Sequence, residues 1–329
     1  MSGPFVHQID PVIGTLFGVH LWWYGFAYTA GFLVLYLALR RNGTELGLAR
    51  VQAYDLALLV SVGTLLGGRL VEVAFYEWPF YGRYPHLIPA LWLGGMATHG
   101  LLLGAIAGIL LFCRIYGKPF LAVTDALAIP AAFILAFGRI GNFVDGQIVG
   151  SETSVWWAVK FPDADGFRHP TVLYDGIKNL LLVPLLVYVY KRQPPEGTVT
   201  GLFLFLYAFL RIGVDVFRVY PTSLLGLATG QALNIVTSIL GLALLAWSWG
   251  RRSAPDDTTV APRATRPVRV ENQGGQLRRD LAFAALLAFP LVIPSDWTQD
   301  VPEHYGKRHP GLQHSTLYPA IARWSTPPH

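Results

Sequence analysis

The chain has 329 residues, of which 53% are hydrophobic and only 14% charged. Soluble domains carry about 25% charged residues, so this composition excludes an ordinary soluble protein and points to an all-α, polytopic integral membrane protein. The single cysteine, Cys113, rules out an internal disulfide and leaves no zinc-type spacing. Apolar runs long enough to cross about 30 Å of hydrocarbon lie near residues 21–39, 52–76, 88–113, 121–138, 171–190, 199–217 and 230–249, which predicts seven transmembrane helices. Arg40, Arg41 and Arg50 follow the first run, Arg114 and Lys118 the third, Lys191 and Arg192 the fifth, and Arg251 and Arg252 the seventh. By the positive-inside rule these connections face the cytoplasm and the amino terminus lies outside.

Four segments follow from this pattern: a membrane domain over 1–250, an Arg-rich cytoplasmic linker over 251–280, a candidate eighth span at 281–294, and a polar tail at 295–329. The linker carries seven arginines among Pro, Ala, Thr and Gly up to residue 279. Such a composition cannot bury a core, reads as disordered, and can touch anionic lipid. The run from Leu281 to Pro294 is short and contains Pro290, so it reads either as a thinned span or as an interfacial segment. His304, His309 and His314 recur every five residues, which places them on no common helical face and makes a poor metal site.

The stretch that organises the chain is AFGRIGNFVDGQIVG at 136–150. Arg139, Asn142, Asp145 and Gln147 stand where a membrane helix should be leaving the bilayer. A charge there costs ~2.5–3.5 kcal/mol on insertion scales, so such residues face a bundle interior or a wet cavity. Glycines at 138, 141, 146 and 150 argue against a continuous helix, and free amides beside an arginine would seat an anionic head group. A snorkelling arginine followed by a Gly-rich exit loop is the competing reading.

Other polar residues recur in the apolar runs. His20, Trp22, Trp23 and Tyr24 open the first span; Tyr24 either joins an interfacial aromatic anchor or aims its hydroxyl inward. Arg69 and Glu72, three apart in the second span, read first as a mutually neutralising pair. His99, between a Gly-Gly pair and Gly100, is either a packed histidine or a cavity base able to accept a thiol proton. At the end of span six, Tyr207, Arg211, Asp215 and Arg218 share one helical face. Asp215 there can neutralise one arginine and leave the second for a phosphate, unless the stripe is a purely structural ladder. No metal, nucleotide or nucleic-acid motif accompanies these residues, and together they suggest an anionic lipid.

The same residues carry a resemblance. WYG at 23–25, GGR at 67–69, GGMATHG at 94–100, GRIGNFVDGQ at 138–147, RHPTVLYD at 168–175, YAFLRIGVDVFR at 207–218 and GQ at 230–231 resemble, in order, the signature segments of bacterial prolipoprotein diacylglyceryl transferases. The likeness covers roughly residues 10–250. It implies a multi-pass enzyme of the bacterial inner membrane that needs no cofactor. Its substrates would be phosphatidylglycerol and prolipoprotein signal peptides carrying a lipobox cysteine. It further implies catalytic roles for Tyr24, His99, Arg139 and Arg211, and substrate contacts from Arg69, Asn142, Asp145, Gln147, Tyr207, Asp215 and Arg218. The chain departs from the pattern where Asp145-Gly146-Gln147 replaces Asn-Gly-Glu, where Asp175 and Asp215 replace glutamates, and where Leu101 replaces a glycine. These departures suggest a divergent member, with a non-catalytic lipid-binding or lipid-moving paralogue as the alternative.

Overall fold

In a computed structural model the chain is described for residues 4–43, 46–91, 96–162, 164–218, 229–252, 273–293, 295, 297–298 and 306–307. Its elements are β1 (Phe5–Val6), β2 (Val12–Leu16), β3 (Val19–Trp22), α1 (Trp23–Asn42), α2 (Arg50–Val71), α3 (Trp78–Tyr81), α4 (Thr98–Tyr116), α5 (Phe120–Val144), β4 (Val159–Lys160), α6 (Thr171–Tyr190), α7 (Thr198–Asp215), α8 (Thr229–Arg252), α9 (Gln273–Val292), β5 (Trp297–Thr298) and β6 (Gly306–Lys307). Six of the described helices are long and apolar enough to cross a membrane: α2 with its π-helical extension to Tyr76, then α4, α5, α6, α7 and α8. The expected first span forms a helix of 20 residues but is not among the six. Tyr24, Tyr28, Tyr36 and two glycines dilute its apolar content.

Several expectations are corrected. The first apolar run begins as a strand, because residues 12–22 form an antiparallel hairpin and the helix starts only at Trp23. The third run becomes helical late: residues 88 and 89 form a turn, and the helix starts only at Thr98. Most important, α5 continues unbroken through Gly138 and Gly141 to Val144. A helical glycine costs ~1 kcal/mol, less than unpairing backbone groups at membrane depth, so the ladder persists. The loop proper begins at Asp145 and turns at Gly146, whose φ of +65° favours glycine. Residues 273–280, expected in the linker, form the start of α9. Gly94, Gly95, Tyr220, the three tail histidines and linker residues 253–272 lie outside the described residues.

The chain divides into two units, Met1–Ile9 with Leu37–Gly47 and Gly117–Arg266, and Asp10–Tyr36 with Leu48–Tyr116 and Pro267–His329. In the first, α5, α6 and α7 enclose a core of Ala128, Ala132, Leu182, Leu186, Val199, Phe203, Tyr207 and Ala208. Asp125 on α5 accepts the backbone N–H groups of Gly197 and Thr200, each at 2.7 Å, and so supplies the otherwise missing cap of α7.

In the second unit α2 and α4 approach on glycines. A Cβ at Gly67 would lie 2.3 Å from the Gly100 carbonyl oxygen, and one at Gly104 would lie 1.9 Å from that of Gly63. Such small-residue stripes replace the hydrophobic drive that lipid cannot provide. Gly100 therefore serves helix contact.

Candidate functional site

Three helix ends in the first unit carry the charged site. Arg139 and Asn142 lie three apart near the end of α5, which puts both on one face. Asp175 and Lys178 have the same spacing at the start of α6, and Arg211 and Asp215 occupy the last turns of α7. Gly176 allows the approach of α5 to α6, since a Cβ there would already stand 3.3 Å from that of Arg139.

The loop after α5 stitches these ends together. The Gly150 N–H donates to the His169 carbonyl at 3.1 Å, the Ser151 N–H to that of Phe217 at 2.8 Å, and the Thr171 hydroxyl to that of Ile148 at 2.9 Å. From the amino-terminal side, buried His7 donates its Nε2 proton to the Phe143 carbonyl at 2.7 Å and stacks on Phe161. Its strand β1 pairs with β4.

Asp175 is the hub of the cluster and is fully buried. Its Oδ2 accepts from Arg139 Nε at 2.6 Å and is ion-paired with Arg211 Nη1, while its Oδ1 lies 2.9 Å from Lys178 Nζ. Lys178 also donates to the Tyr207 carbonyl at 3.1 Å and sits 4.2 Å above the Tyr207 ring. Arg211 reaches on through Nε to Asp215 Oδ1 at 3.0 Å, and Asp215 takes Arg218 at 3.7 Å and the Asn234 amide at 3.3 Å.

A neutral branch leaves the other way. Arg139 Nη1 donates to Asn142 Oδ1 at 3.2 Å, Asn142 Nδ2 to Gln147 Oε1 at 3.1 Å, and Gln147 Nε2 to Asp145 Oδ2 at 2.8 Å. The network is thus continuous from Asp145 to Asp215.

Among the described residues of this cluster four cations, Arg139, Lys178, Arg211 and Arg218, share two carboxylates, Asp175 and Asp215. This leaves an excess of two positive charges, reduced to one if Asp145 is included. Asp215 pairs with both Arg211 and Arg218, so the expectation that it neutralises one arginine and leaves the other aside is replaced by a shared ladder with surplus charge. Such a ladder, with two forked guanidinium groups, suits a phosphate.

Of the residues singled out in the sequence, Arg139, Asn142, Asp145, Gln147, Tyr207, Arg211, Asp215 and Arg218 are brought together in this unit. Asp145 connects to Arg139 through Gln147 and Asn142, and the carboxylate that Arg139 contacts directly is that of Asp175. Asp175 as hub, Lys178 and His7 were missed. A lysine in the second turn of an apolar span was the available signal for the cluster, because a buried charge there needs a partner.

Tyr24, Arg69 and His99 belong to the second unit. The Tyr24 hydroxyl lies 3.3 Å from that of Tyr28. Arg69 is a clamp: its Nε donates to the Ile88 carbonyl at 2.9 Å and its Nη2 to the Tyr81 hydroxyl at 2.8 Å and the Ala90 carbonyl at 2.9 Å. Burial pushes the Tyr81 phenol up to about 12, so it stays protonated as the acceptor of that bond. His99 is half-buried in the first turn of α4. Among the described residues no group of His, Cys, Asp and Glu could hold a metal ion.

Residues 11–247 match the family model described as prolipoprotein diacylglyceryl transferase. The chain is 37% identical over 262 residues to the phosphatidylglycerol--prolipoprotein diacylglyceryl transferase of Vibrio vulnificus (strain YJ016), covering 77% of this chain and 96% of that one. It is 38% identical over 267 residues to the enzyme of the same name from Solidesulfovibrio magneticus, with 77% and 98% covered. Against that of Nitrosomonas europaea identity is 37% over 259 residues, with 76% and 93% covered.

Proposed function

Because the chain belongs to the prolipoprotein diacylglyceryl transferase family, we propose that it moves the diacylglyceryl group of phosphatidylglycerol to the lipobox cysteine of a prolipoprotein signal peptide. A thioether C–S bond forms at the glycerol carbon, the C–O bond to phosphate breaks, and glycerol phosphate leaves with the electron pair. The thiol proton passes to His99 or to a phosphate oxygen held by an arginine. The observation that carries this reading is the cation surplus around Asp175 and Asp215.

Charge grows on the phosphate as the C–O bond breaks, and Arg139 and Arg211 answer it. Each is held by carboxylates, so little reorganisation is needed when that charge appears. Asn142, Gln147 and Asp145 keep the Arg139 guanidinium in orientation, Asp215 does the same for Arg211, Tyr207 holds Lys178, and Arg218 extends the positive surface. Tyr24 contributes from its own unit, and Arg69 acts by holding the 81–90 segment. The enzyme sits in the bacterial inner membrane, with α1 completing seven spans over residues 1–250 and the amino terminus outside, as the Arg and Lys distribution directs.

The test is incubation of the purified protein with labelled phosphatidylglycerol and a lipobox peptide. Thioether product and glycerol phosphate in equal amounts are the expected result. Bound lipid with neither product would overturn transfer and support a lipid-binding role.

A further inference from the structure

The helix α9 lies wholly beyond residues 11–247, the part matched by the family model, yet it has a built seat in the second unit. Its contacts run in order along α1. Phe283 packs against Tyr36 with ring centroids 4.9 Å apart, the Leu287 carbonyl accepts the Thr29 hydroxyl at 2.7 Å, and the Pro290 carbonyl oxygen stands 1.8 Å from where a Cβ on Gly25 would be. As one index rises the other falls, so the two helices run antiparallel, over 11 residues of α1 and 7 of α9, or roughly 10–16 Å at about 1.5 Å per residue.

The other end of α9 is fixed by charge. Arg279 donates Nε to Asp55 Oδ1 at 2.6 Å and Nη2 to Asp55 Oδ2 at 3.1 Å, and the Tyr116 hydroxyl donates to the same carboxylate. Asp55 stands on the second turn of α2, inside a helix long and apolar enough to cross the membrane. A carboxylate there needs a cation, and α9 brings it. Phe283 completes the junction by meeting Tyr54, the neighbour of Asp55, at 5.4 Å.

We propose that α9 is an eighth membrane-crossing helix, clamped between Asp55 at one face and Gly25 at the other, so that the chain beyond Val292 emerges on the face where α1 begins. Its 20 residues measure about 30 Å, the thickness of the hydrocarbon layer. Gln276, Arg278, Arg279 and Asp280 shorten its apolar stretch, which is why it reads as too polar and too short by composition. The Asp55–Arg279 pair removes the charge that matters most for that deficit. An interfacial helix would track one membrane face and could not follow α1 from Tyr36 to Gly25.

The test uses the full chain with Cys113→Ser and one new cysteine, Ser253→Cys before α9 or Ser315→Cys after it. A membrane-impermeant maleimide is applied to spheroplasts and to inside-out vesicles. The two cysteines should label from opposite faces; labelling from the same face would overturn the proposal. Oxidation of a Thr29→Cys, Leu287→Cys protein should give a crosslinked species, and its absence in a folded protein would overturn the pairing with α1. Arg279→Asp should lose most of the opposite-face labelling of residue 315, and Asp55→Arg in the same chain should restore it. Unchanged labelling in Arg279→Asp would overturn the clamp.

Discussion

Asp175 Oδ2 accepts Arg139 Nε at 2.6 Å and so joins the end of α5 to the start of α6 inside the membrane unit. The same oxygen faces Arg211, and Lys178 holds the other oxygen. One carboxylate thereby keeps three cations within reach of a common centre.

Removing that carboxylate should therefore harm the fold as well as the reaction. Asp175→Asn would leave buried Lys178 and Arg211 and partly buried Arg139 facing one another, with Asp215 still on Arg211, and breaking a buried pair costs ~3–5 kcal/mol. A drop in thermal midpoint in detergent, larger than that of any single cation variant, is the expected outcome. Asp175→Glu should recover most of it, because the charge stays and only one methylene is added.

Loss of one guanidinium acts differently. Arg139→Ala and Arg211→Ala should each lower transfer by about 10²–10³, the usual cost of one well-placed electrostatic donor. Both should remain in the membrane fraction. Turnover within a few fold of the parent would take that arginine out of the phosphate site.

Lys178 is a cleaner probe of lipid binding. In Lys178→Met the alkyl stem still packs on Tyr207, and Asp175 keeps both arginines. A hydrogen bond to a charged group is worth ~1.5–3 kcal/mol, so the KM for phosphatidylglycerol should rise by about ten- to a hundredfold with kcat much less affected. A purely structural lysine would instead shift the thermal midpoint and leave KM alone.

Much of this was legible in the sequence, and the misses have physical causes. Helices α2 and α5 to α8 follow from long apolar runs, and Arg139, Asn142 and Arg211 stood out because charge and amide groups are costly at membrane depth. Gly138 and Gly141 misled because the glycine penalty was weighed without the greater cost of unpaired backbone in a bilayer. Residues 21 and 22 joined the first span because Leu21 and Trp22 are apolar, although they pair with β2. The glycines at 67, 100 and 104 gain meaning only when two helices meet, and the seat of Pro290 on Gly25 joins residues 265 positions apart.

Those glycines support a prediction of their own. Gly104→Val would place its Cβ 1.9 Å from the Gly63 carbonyl oxygen, which is backbone and cannot swing aside. The α2–α4 pair must separate, and overpacking of this kind typically costs ~1–3 kcal/mol or more. Lower yield of folded protein and a lower thermal midpoint should follow, whereas Gly138→Ala, which meets nothing within 4 Å, should be neutral or mildly stabilising.

The displaced acid permits the sharpest test. Gln147 bridges two partners, giving Nε2 to Asp145 and taking Asn142 through Oε1. Asp145 is fully buried, so its charge depends on such donors. Gln147→Glu alone removes the donor and sets a second carboxylate against the first, which should destabilise the loop and lower transfer. Asp145→Asn alone removes a charge but keeps an acceptor for Gln147, and should be milder. In the double variant the amide introduced at position 145 can donate to the carboxylate introduced at position 147, which still accepts from Asn142. The chain of bonds to Arg139 is then rebuilt with the acid two residues later. The double variant should transfer lipid better than Gln147→Glu, with a coupling of ~1–3 kcal/mol in the thermodynamic cycle. Additive losses would mean that Asp145 and Gln147 act independently, and that the bonded chain from the loop to Arg139 does not orient the guanidinium.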